Sequence, residues 1–205
     1  EFVIGMLIVA IGTSVPELGT AISAVLQDKS DIVIGEILGS NIANFTLALG
    51  FAALFAKGTF KGTWNVFYGD LPIFIGALIL LFFSALDGEI GLAEALVLLV
   101  GYFIYLIYSK NLHKDSLIKQ SEPFSWKIPV LLVASLVLIF LSSNYSIQSI
   151  IKLSELLGVS TAILGTSLVA LGTSLPEIVV AVSAARKKKF DMVIGDVIGS
   201  NIFNT

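Results

Sequence analysis

The chain has 205 residues, of which 56% are hydrophobic and only 13% are charged, and its mean hydropathy is +0.96. Soluble domains carry about 25% charged residues, so this composition excludes a soluble globular protein and indicates an integral membrane protein. The absence of Cys excludes disulfides and thiolate metal sites, and the net charge of −3 matters less than the distribution of charge along the chain.

Long apolar stretches predict transmembrane helices, and at about 20 apolar residues per span the chain has room for about seven. We place them at residues 2–26, 32–56, 64–86, 91–109, 127–157 and 161–185, with a seventh that starts near 191. The 127–157 span is long and its second half is amphipathic, which predicts a steeply tilted helix. The last stretch stops after about 15 residues, short of a full crossing, so we expect the chain to be a piece of a larger protein.

The basic residues predict the orientation of these spans. They fall in alternate loops, so they lie on one side of the membrane if the spans simply alternate. By the positive-inside rule that side is cytoplasmic, which places the loops 57–63, 110–126 and 186–190 in the cytoplasm. The single His113 is a loop residue in this arrangement rather than a ligand. Ten of the twelve basic residues belong to this group: Lys57, Lys61, Lys110, Lys114, Lys119, Lys127, Arg186, Lys187, Lys188 and Lys189.

The chain contains an internal repeat. Residues 1–44, aligned with 161–204 without a gap, are identical at 21 of 44 positions, which is far above chance. Five spans separate equivalent helices, and because this number is odd the two copies cross the membrane in opposite directions. Inverted repeats are typical of secondary transporters, whose substrate binds near the midplane where the halves meet. We therefore predict a first repeat at 1–109 and a second at 127–205, joined by the cytoplasmic loop 110–126.

The first repeated motif places a carboxylate beside a helix-breaking proline: Gly-Thr-Ser-x-Pro-Glu at 12–17 and at 172–177. Proline cannot donate to the carbonyl four residues earlier, and a freed carbonyl in lipid is costly unless water, a side chain or an ion satisfies it. The motif's hydroxyl and carboxylate oxygens are those that Ca²⁺ and Na⁺ prefer. The alternative is a kinked helix whose hydroxyls bond back to its own backbone. An intramembrane Glu costs at least about 2.5–3.5 kcal/mol, so two copies favour an ion site.

The second repeated motif is Gly-x-x-x-Gly-Ser-Asn-Ile-x-Asn at 35–44 and at 195–204. Its glycines allow another helix to approach closely. Asn41 and Asn201 are candidates for hydrogen bonding between helices as well as for ion binding. Glu36 and Asp196 lie near the loop ends of their helices, where snorkelling or a vestibule role competes with direct ligation. Positions four apart share a helix face, so each copy carries a polar stripe: Glu36, Ser40 and Asn44, and Asp196, Ser200 and Asn204.

Together the two motifs, occurring twice in inverted halves, resemble the cation/Ca²⁺ exchanger superfamily and most closely its prokaryotic sodium/calcium exchanger branch. The resemblance implies an all-α polytopic transporter of ten helices. This chain would hold the second helix through most of the eighth: the first repeat would lack its first helix, and the second would be truncated in its third. We expect an integral protein of the prokaryotic cell (inner) membrane, with no enzymatic activity, no cofactor and no nucleic-acid partner. The oligomeric state is left open.

The resemblance also implies a set of ion ligands, position by position. Two glutamates would be the central Ca²⁺ carboxylates; two threonines and two main-chain carbonyls would complete the coordination; four serines would help to bind Na⁺; and two asparagines would fill the remaining central positions. In that order they are Glu17 and Glu177; Thr13 and Thr173; Ala10 and Ala170; Ser14, Ser174, Ser40 and Ser200; Asn44 and Asn204.

One of these positions departs from the family pattern, which has Asn in one half and Asp in the other. Asn204 removes one negative charge. Two glutamates still balance one Ca²⁺, but a three-Na⁺ stoichiometry and a potassium-dependent mode are left open. The leading hypothesis is secondary active exchange of Ca²⁺ for Na⁺ by alternating access. An H⁺/Ca²⁺ antiporter is the alternative, and a passive cation channel or a non-transporting membrane scaffold is more remote.

Overall fold

The computed structural model of the protein describes residues 9–56, 69–112 and 127–205. Within these ranges every regular element is a helix, which confirms the all-α fold class. The predicted loop 57–63, the stretch 113–126 with His113, and the starts of the first and third predicted spans lie outside them. The helices are α1 (Val15–Val25), α2 (Ser30–Ala43), a π-helical turn (Asn44–Ala48), α3 (Leu49–Phe55), α4 (Asp70–Ser84), α5 (Leu92–Leu112), α6 (Lys127–Leu157), α7 (Thr161–Leu164), a second π-helical turn (Gly165–Val169), α8 (Ala170–Thr173), α9 (Leu175–Arg186) and α10 (Phe190–Asn204).

Several of these helices match the predicted spans closely. The continuous rod Ser30–Phe55, made of α2, the first π-helical turn and α3, is long and apolar enough to cross a membrane, as is Leu92–Ser109 of α5. Residues Thr161–Thr173 and α9 together also qualify, as one span bent by 41°. At 1.5 Å per residue, the 31 residues of α6 extend over about 46 Å, well beyond the roughly 30 Å of a bilayer core. A helix of that length fits the tilt that its sequence predicts.

The bend in each repeat comes from proline. Pro16 and Pro176 occupy the second position of α1 and α9. The preceding backbone stays helical as far as the N–H of Ser14, which donates to the carbonyl of Ala10 at 3.1 Å, and the second repeat has the same bond, between Ser174 and Ala170, at 3.0 Å. Because proline supplies no N–H, regular bonding is interrupted at the residue that the motif predicts.

The turn that follows each bent helix is also repeated. Asp28 and Lys188 adopt φ angles of +55° and +59°, a left-handed conformation that is uncommon outside glycine. In the first repeat the N–H of Lys29 then donates to the carbonyl of Ala24 at 2.9 Å, and in the second Lys189 makes the equivalent bond at 3.0 Å. The sequence identity of the two copies is therefore matched by identical local backbone geometry.

Contacts at the two ends of the rod Ser30–Phe55 establish that the repeats are inverted. Helix α1 runs towards the start of the rod, where the hydroxyl of Thr161 donates to the carboxylate of Asp31. Helix α9 runs towards its other end, where the guanidinium of Arg186 lies 5.0 Å from the centre of the Phe55 ring. Equivalent helices therefore point in opposite directions, which confirms the inverted-repeat fold. The same contacts group Arg186 with the end of α3, as the distribution of basic residues predicts.

Small residues bring these helices together. A Cβ atom on Gly35 would lie 2.5 Å from the carbonyl oxygen of Ala162, and one on Gly39 would lie 2.2 Å from that of Thr166. Backbone therefore rests directly on backbone where α2 crosses the second repeat, as the glycines of the second motif predict. At the end of the rod, alanines do the same between α3 and α9. The core there comprises Ala48, Ala52, Ala181, Ala184, Ala185, Phe190, Val193 and Val197.

Candidate ion-binding site

The two central glutamates lie in the first turns of α1 and α9, immediately after the proline bends. Both are buried, with 5% of Glu17 and none of Glu177 exposed. Their carboxylates are close enough to repel each other. The hydroxyl of Ser14 in the first repeat donates to Oε1 of Glu177 in the second at 3.2 Å. The two copies of the first motif therefore face each other and share one polar site.

The threonines of the first motif bond back to their own helix backbone and also lie near polar groups of the other repeat. Oγ1 of Thr13 donates to the carbonyl of Ala10 at 3.1 Å, and Oγ1 of Thr173 lies 3.2 and 3.3 Å from the carbonyls of Val169 and Ala170. These bonds return to their own backbone, as in a simple kinked helix. Oγ1 of Thr13 also lies 3.3 Å from Oγ of Ser200 in the other repeat. The threonine oxygens thus sit on the boundary between the repeats.

The second motif joins α2 to α10 through side-chain amides. Nδ2 of Asn44 donates to Oδ1 of Asn201 at 2.8 Å, and Nδ2 of Asn201 lies 3.4 Å from the carbonyl of Asn41. Nδ2 of Asn204 lies 3.4 Å from Oγ of Ser40. Asn201 therefore makes the interhelical hydrogen bonds that its position off the polar stripe suggests. The two asparagines predicted as ion ligands also contact residues of the opposite repeat, Asn44 with Asn201 and Asn204 with Ser40.

We expect Asn201→Leu to destabilise the protein. The substitution keeps the approximate side-chain size but leaves the buried Nδ2 of Asn44 without an acceptor, which costs about 1–3 kcal/mol. Thermal unfolding of the purified full-length protein in detergent measures the loss. Ser149→Ala is the matched control, because Ser149 is exposed and bonds only to the carbonyl of Tyr145 in its own helix. Equal melting temperatures for the two variants would contradict the prediction.

Buried acceptor oxygens without a donor mark the centre of the site. Both carboxylate oxygens of Glu17 lack a hydrogen-bond partner, as do Oε2 of Glu177 and the Oδ1 atoms of Asn44 and Asn204. Buried polar atoms nearly always have a partner, so a concentration of unpaired acceptors requires an explanation. A hard cation supplies one, because Ca²⁺ and Na⁺ bind carboxylate, hydroxyl and carbonyl oxygens together. The residues present therefore fit such an ion.

The ligands cannot all be carboxylates. Among the residues that the structure describes, no group of three or more His, Cys, Asp or Glu side chains is close enough to hold a metal ion. Neutral oxygens must complete any coordination shell around Glu17 and Glu177. The buried serines Ser14, Ser40, Ser174 and Ser200, each with no exposed surface, lie in the two motifs that form this site.

Two acids that we placed near loop ends are in fact buried: Glu36 is 2% exposed and Asp196 is not exposed at all. Snorkelling is therefore wrong for both. Ile32 and Val193, one turn before these acids, are fully buried too. The hydroxyl of Thr20 donates to Glu36 Oε1, a contact that sequence analysis missed. Its spacing of three residues from Glu17, on the same helix face, was the available signal.

A cavity of about 670 Å³ adjoins the first repeat's side of the site. Glu17, Glu36, Ser40 and Asn204 line one part of it, and apolar residues of α4 and α5 line much of the rest. Glu17 lines this cavity, whereas neither Glu177 nor Asp196 does. In this structure the two central carboxylates therefore differ in their access.

Comparisons with known proteins give the same answer as the motifs. The family model for "sodium/calcium exchanger protein" matches residues 1–110 and 127–205. The sodium/calcium exchanger MaX1 of Methanosarcina acetivorans is 35% identical over 252 residues, covering 100% of this chain and 70% of the relative. The solved structure of the sodium-calcium exchanger NCX_Mj, soaked with Na⁺ and Sr²⁺, is 33% identical with a TM-score of 0.62, covering 99% of this chain and 67% of the other.

A more distant structure supports the fold alone. The H⁺/Ca²⁺ exchanger CAX has a TM-score of 0.65 at 16% identity, covering 100% of this chain and 56% of the other. The chain spans about two thirds of the length of the curated relatives that it matches. It is an integral membrane protein that belongs to the sodium/calcium exchanger protein family.

Proposed function

We propose that the full-length protein is a secondary active antiporter that exchanges Ca²⁺ for Na⁺ across the inner membrane of a prokaryotic cell. The observation that carries the proposal is the pair Glu17 and Glu177, both buried in inverted copies of one motif that are joined by the bond from Ser14 to Glu177. Two carboxylates balance the charge of one Ca²⁺. The resemblance to MaX1 and NCX_Mj, both named as sodium/calcium exchangers, supports this pair of ions.

The remaining ligands are those that the family resemblance implies, and contacts between the two motifs support them. The hydroxyls of Thr13 and Thr173 and the carbonyls of Ala10 and Ala170 complete the Ca²⁺ shell. Na⁺ takes the same glutamate oxygens together with serine hydroxyls and the asparagine side chains: Ser14, Ser174, Ser40, Ser200, Asn44 and Asn204. Each of these side chains belongs to one of the two motifs, and the Ser14–Glu177 and Asn204–Ser40 contacts cross the repeat boundary.

Exchange rather than co-transport follows from charge. A full load of Ca²⁺ and a full load of Na⁺ in one water-poor site repel each other strongly, because charge interactions grow as the effective dielectric constant falls. Either ion therefore leaves before the other binds. The bends at Ser14 and Ser174 and the pseudo-symmetry of the repeats favour a mechanism in which the halves rearrange around a fixed site. The loops 57–63, 110–126 and 186–190 face the cytoplasm in this orientation.

An H⁺/Ca²⁺ antiporter is the second candidate. The unpaired oxygens of Glu17 and Glu177 can accept protons as readily as they can accept Na⁺, and the glutamates would then titrate once in each cycle. This mechanism needs no Na⁺ ligands from the serines. A passive channel differs from both, since its flux requires no counter-ion.

Vesicle transport separates these functions. We expect the purified full-length protein, reconstituted into liposomes, to accumulate ⁴⁵Ca²⁺ against its gradient when Na⁺ is placed inside and removed outside. An equal choline gradient is the control. Uptake driven by a pH gradient with no Na⁺ present would instead establish proton exchange. Flux that proceeds without any counter-ion would establish a channel, and the absence of gradient-driven uptake under every condition would reject transport of Ca²⁺.

A further inference from the structure

The proposed exchange leaves two buried acids without a role. Glu36 lies close enough to Glu17, and Asp196 close enough to Glu177, for each pair to repel. Glu36 and Asp196 occupy equivalent positions of the two repeats, 160 residues apart in the chain. The four carboxylates are therefore arranged as two separate pairs, one in each repeat. Each pair contains one central glutamate, Glu17 or Glu177, and one further acid, Glu36 or Asp196, which we call the outer acid.

A threonine of the opposite repeat lies beside each pair. Thr173 is close to both Glu17 and Glu36, and Thr13 is close to both Glu177 and Asp196. The threonine hydroxyls lie within hydrogen-bonding distance of backbone carbonyls of their own helices. A hydroxyl has a single hydrogen to donate, so a hydroxyl that bonds to the backbone offers the carboxylates only another oxygen acceptor. Thr20 donates to one oxygen of Glu36 and Ser14 to one oxygen of Glu177. The other six carboxylate oxygens of the two pairs have no hydrogen-bond donor among the residues that the structure describes.

Nothing else described near these acids neutralises them. Both oxygens of Asp196 and Oε2 of Glu36 have no hydrogen-bond partner, although both residues are at least 98% buried. The helices α1, α2 and α10 contain no Lys or Arg, and the one basic residue of α9, Arg186, lies at the opposite end of that helix from Glu177, against Phe55. An unpaired buried charge costs several kcal/mol, whereas a bound cation converts the same oxygens into ligands. The same arrangement of two carboxylates and one threonine hydroxyl oxygen therefore occurs twice, once in each repeat.

We propose that each pair binds a monovalent cation, Na⁺ in the proposed exchange, so that Glu36 and Asp196 are direct ion ligands. Once Ca²⁺ has left, each pair presents its central glutamate and its outer acid together, and two carboxylates attract a Na⁺ more strongly than one glutamate alone. The four carboxylates together match a larger load of Na⁺ than two glutamates alone. This assignment compensates for the acid that Asn204 lacks, and it rests on the proposed Na⁺/Ca²⁺ exchange.

Equilibrium binding of ²²Na⁺ and ⁴⁵Ca²⁺ to the purified full-length protein in detergent tests the assignment. We expect Glu36→Gln and Asp196→Asn each to weaken Na⁺ binding by at least about tenfold, while Ca²⁺ affinity stays within about threefold of the unaltered value. The amides have nearly the same shape as the acids, and Gln at 36 still accepts from the Thr20 hydroxyl. Glu155→Gln is the matched control, because Glu155 is exposed on α6.

Retained Ca²⁺ binding demonstrates that a variant is folded, so a loss of Na⁺ binding alone supports the assignment. Unchanged Na⁺ binding in either variant would overturn it. A variant that loses the binding of both Na⁺ and Ca²⁺ would also overturn it, if Glu36→Asp does not restore the binding. The outer acids would then be needed for folding or for the central site. The measurement uses no gradient. Failure of Na⁺-driven transport in the unaltered protein would therefore reject the exchange without deciding whether the outer acids bind Na⁺.

Discussion

Glu17→Gln and Glu177→Gln are each expected to lower Na⁺-driven Ca²⁺ uptake at least about 100-fold. One unit charge about 4 Å away is worth about 4 kcal/mol at an effective dielectric constant of about 20, and every 1.4 kcal/mol is a factor of ten in affinity. Each substitution removes one of the two charges that balance Ca²⁺ while it keeps the shape of the side chain. Both carboxylates are buried, so bulk water cannot replace the lost charge.

Stability separates this effect from misfolding. Neither oxygen of Glu17 has a hydrogen-bond partner, so its charge in the ion-free protein is a cost that an amide removes. We expect the melting temperature of Glu17→Gln in Ca²⁺-free detergent to equal or exceed that of the unaltered protein, and the stabilisation by added Ca²⁺ to disappear. Glu155→Gln makes the same chemical change on an exposed face of α6 and should alter neither measurement. Transport by Glu17→Gln above half the normal rate would reject a central role for this residue.

The features that sequence analysis predicted depend either on local sequence or on the number of membrane spans. The bends follow from Pro16 and Pro176, since the missing N–H acts wherever the helix lies. The inversion follows from an odd number of spans between equivalent helices. The close approach of α2 follows from Gly35 and Gly39, because only a residue without Cβ tolerates contact between backbones.

The features that it did not predict depend on tertiary contacts. The positions of Glu36 and Asp196 near helix ends suggest exposure, and only the helices packed over those ends bury them. No local signal indicates that the amide of Asn201 would meet Asn44, because the two residues are 157 positions apart. The ion ligands themselves remain predictions, although the structure does bring their side chains together across the repeats. Ligation depends on an ion, and geometry alone establishes only that the oxygens present can accept one.

Gly39→Ala is expected to disrupt the contact between the two repeats. The added Cβ would lie 2.2 Å from the carbonyl oxygen of Thr166 and 2.6 Å from the Cβ of Ala170. Real Cβ atoms do not approach backbone oxygen so closely, so α2 must move away from the segment 165–170. Overpacking of this kind costs about 1–3 kcal/mol and at times more, and we expect the upper part of that range because the obstructing atom is backbone. Movement of Ala170 would also displace a carbonyl that we propose as a Ca²⁺ ligand.

Thermal unfolding of the full-length protein in detergent, with and without Ca²⁺, measures both consequences. Gly50→Ala is the matched control, because no described atom outside its own stretch of helix lies within 4 Å of the added Cβ. Ala favours the helix by about 1 kcal/mol over Gly, so the control variant should be as stable as the unaltered protein or more so. If Gly39→Ala has the same melting temperature as Gly50→Ala and binds Ca²⁺ normally, the helices can separate by the width of a methyl group without loss of stability or of Ca²⁺ binding. The backbone contact between α2 and the second repeat would then have no part in positioning the ion site.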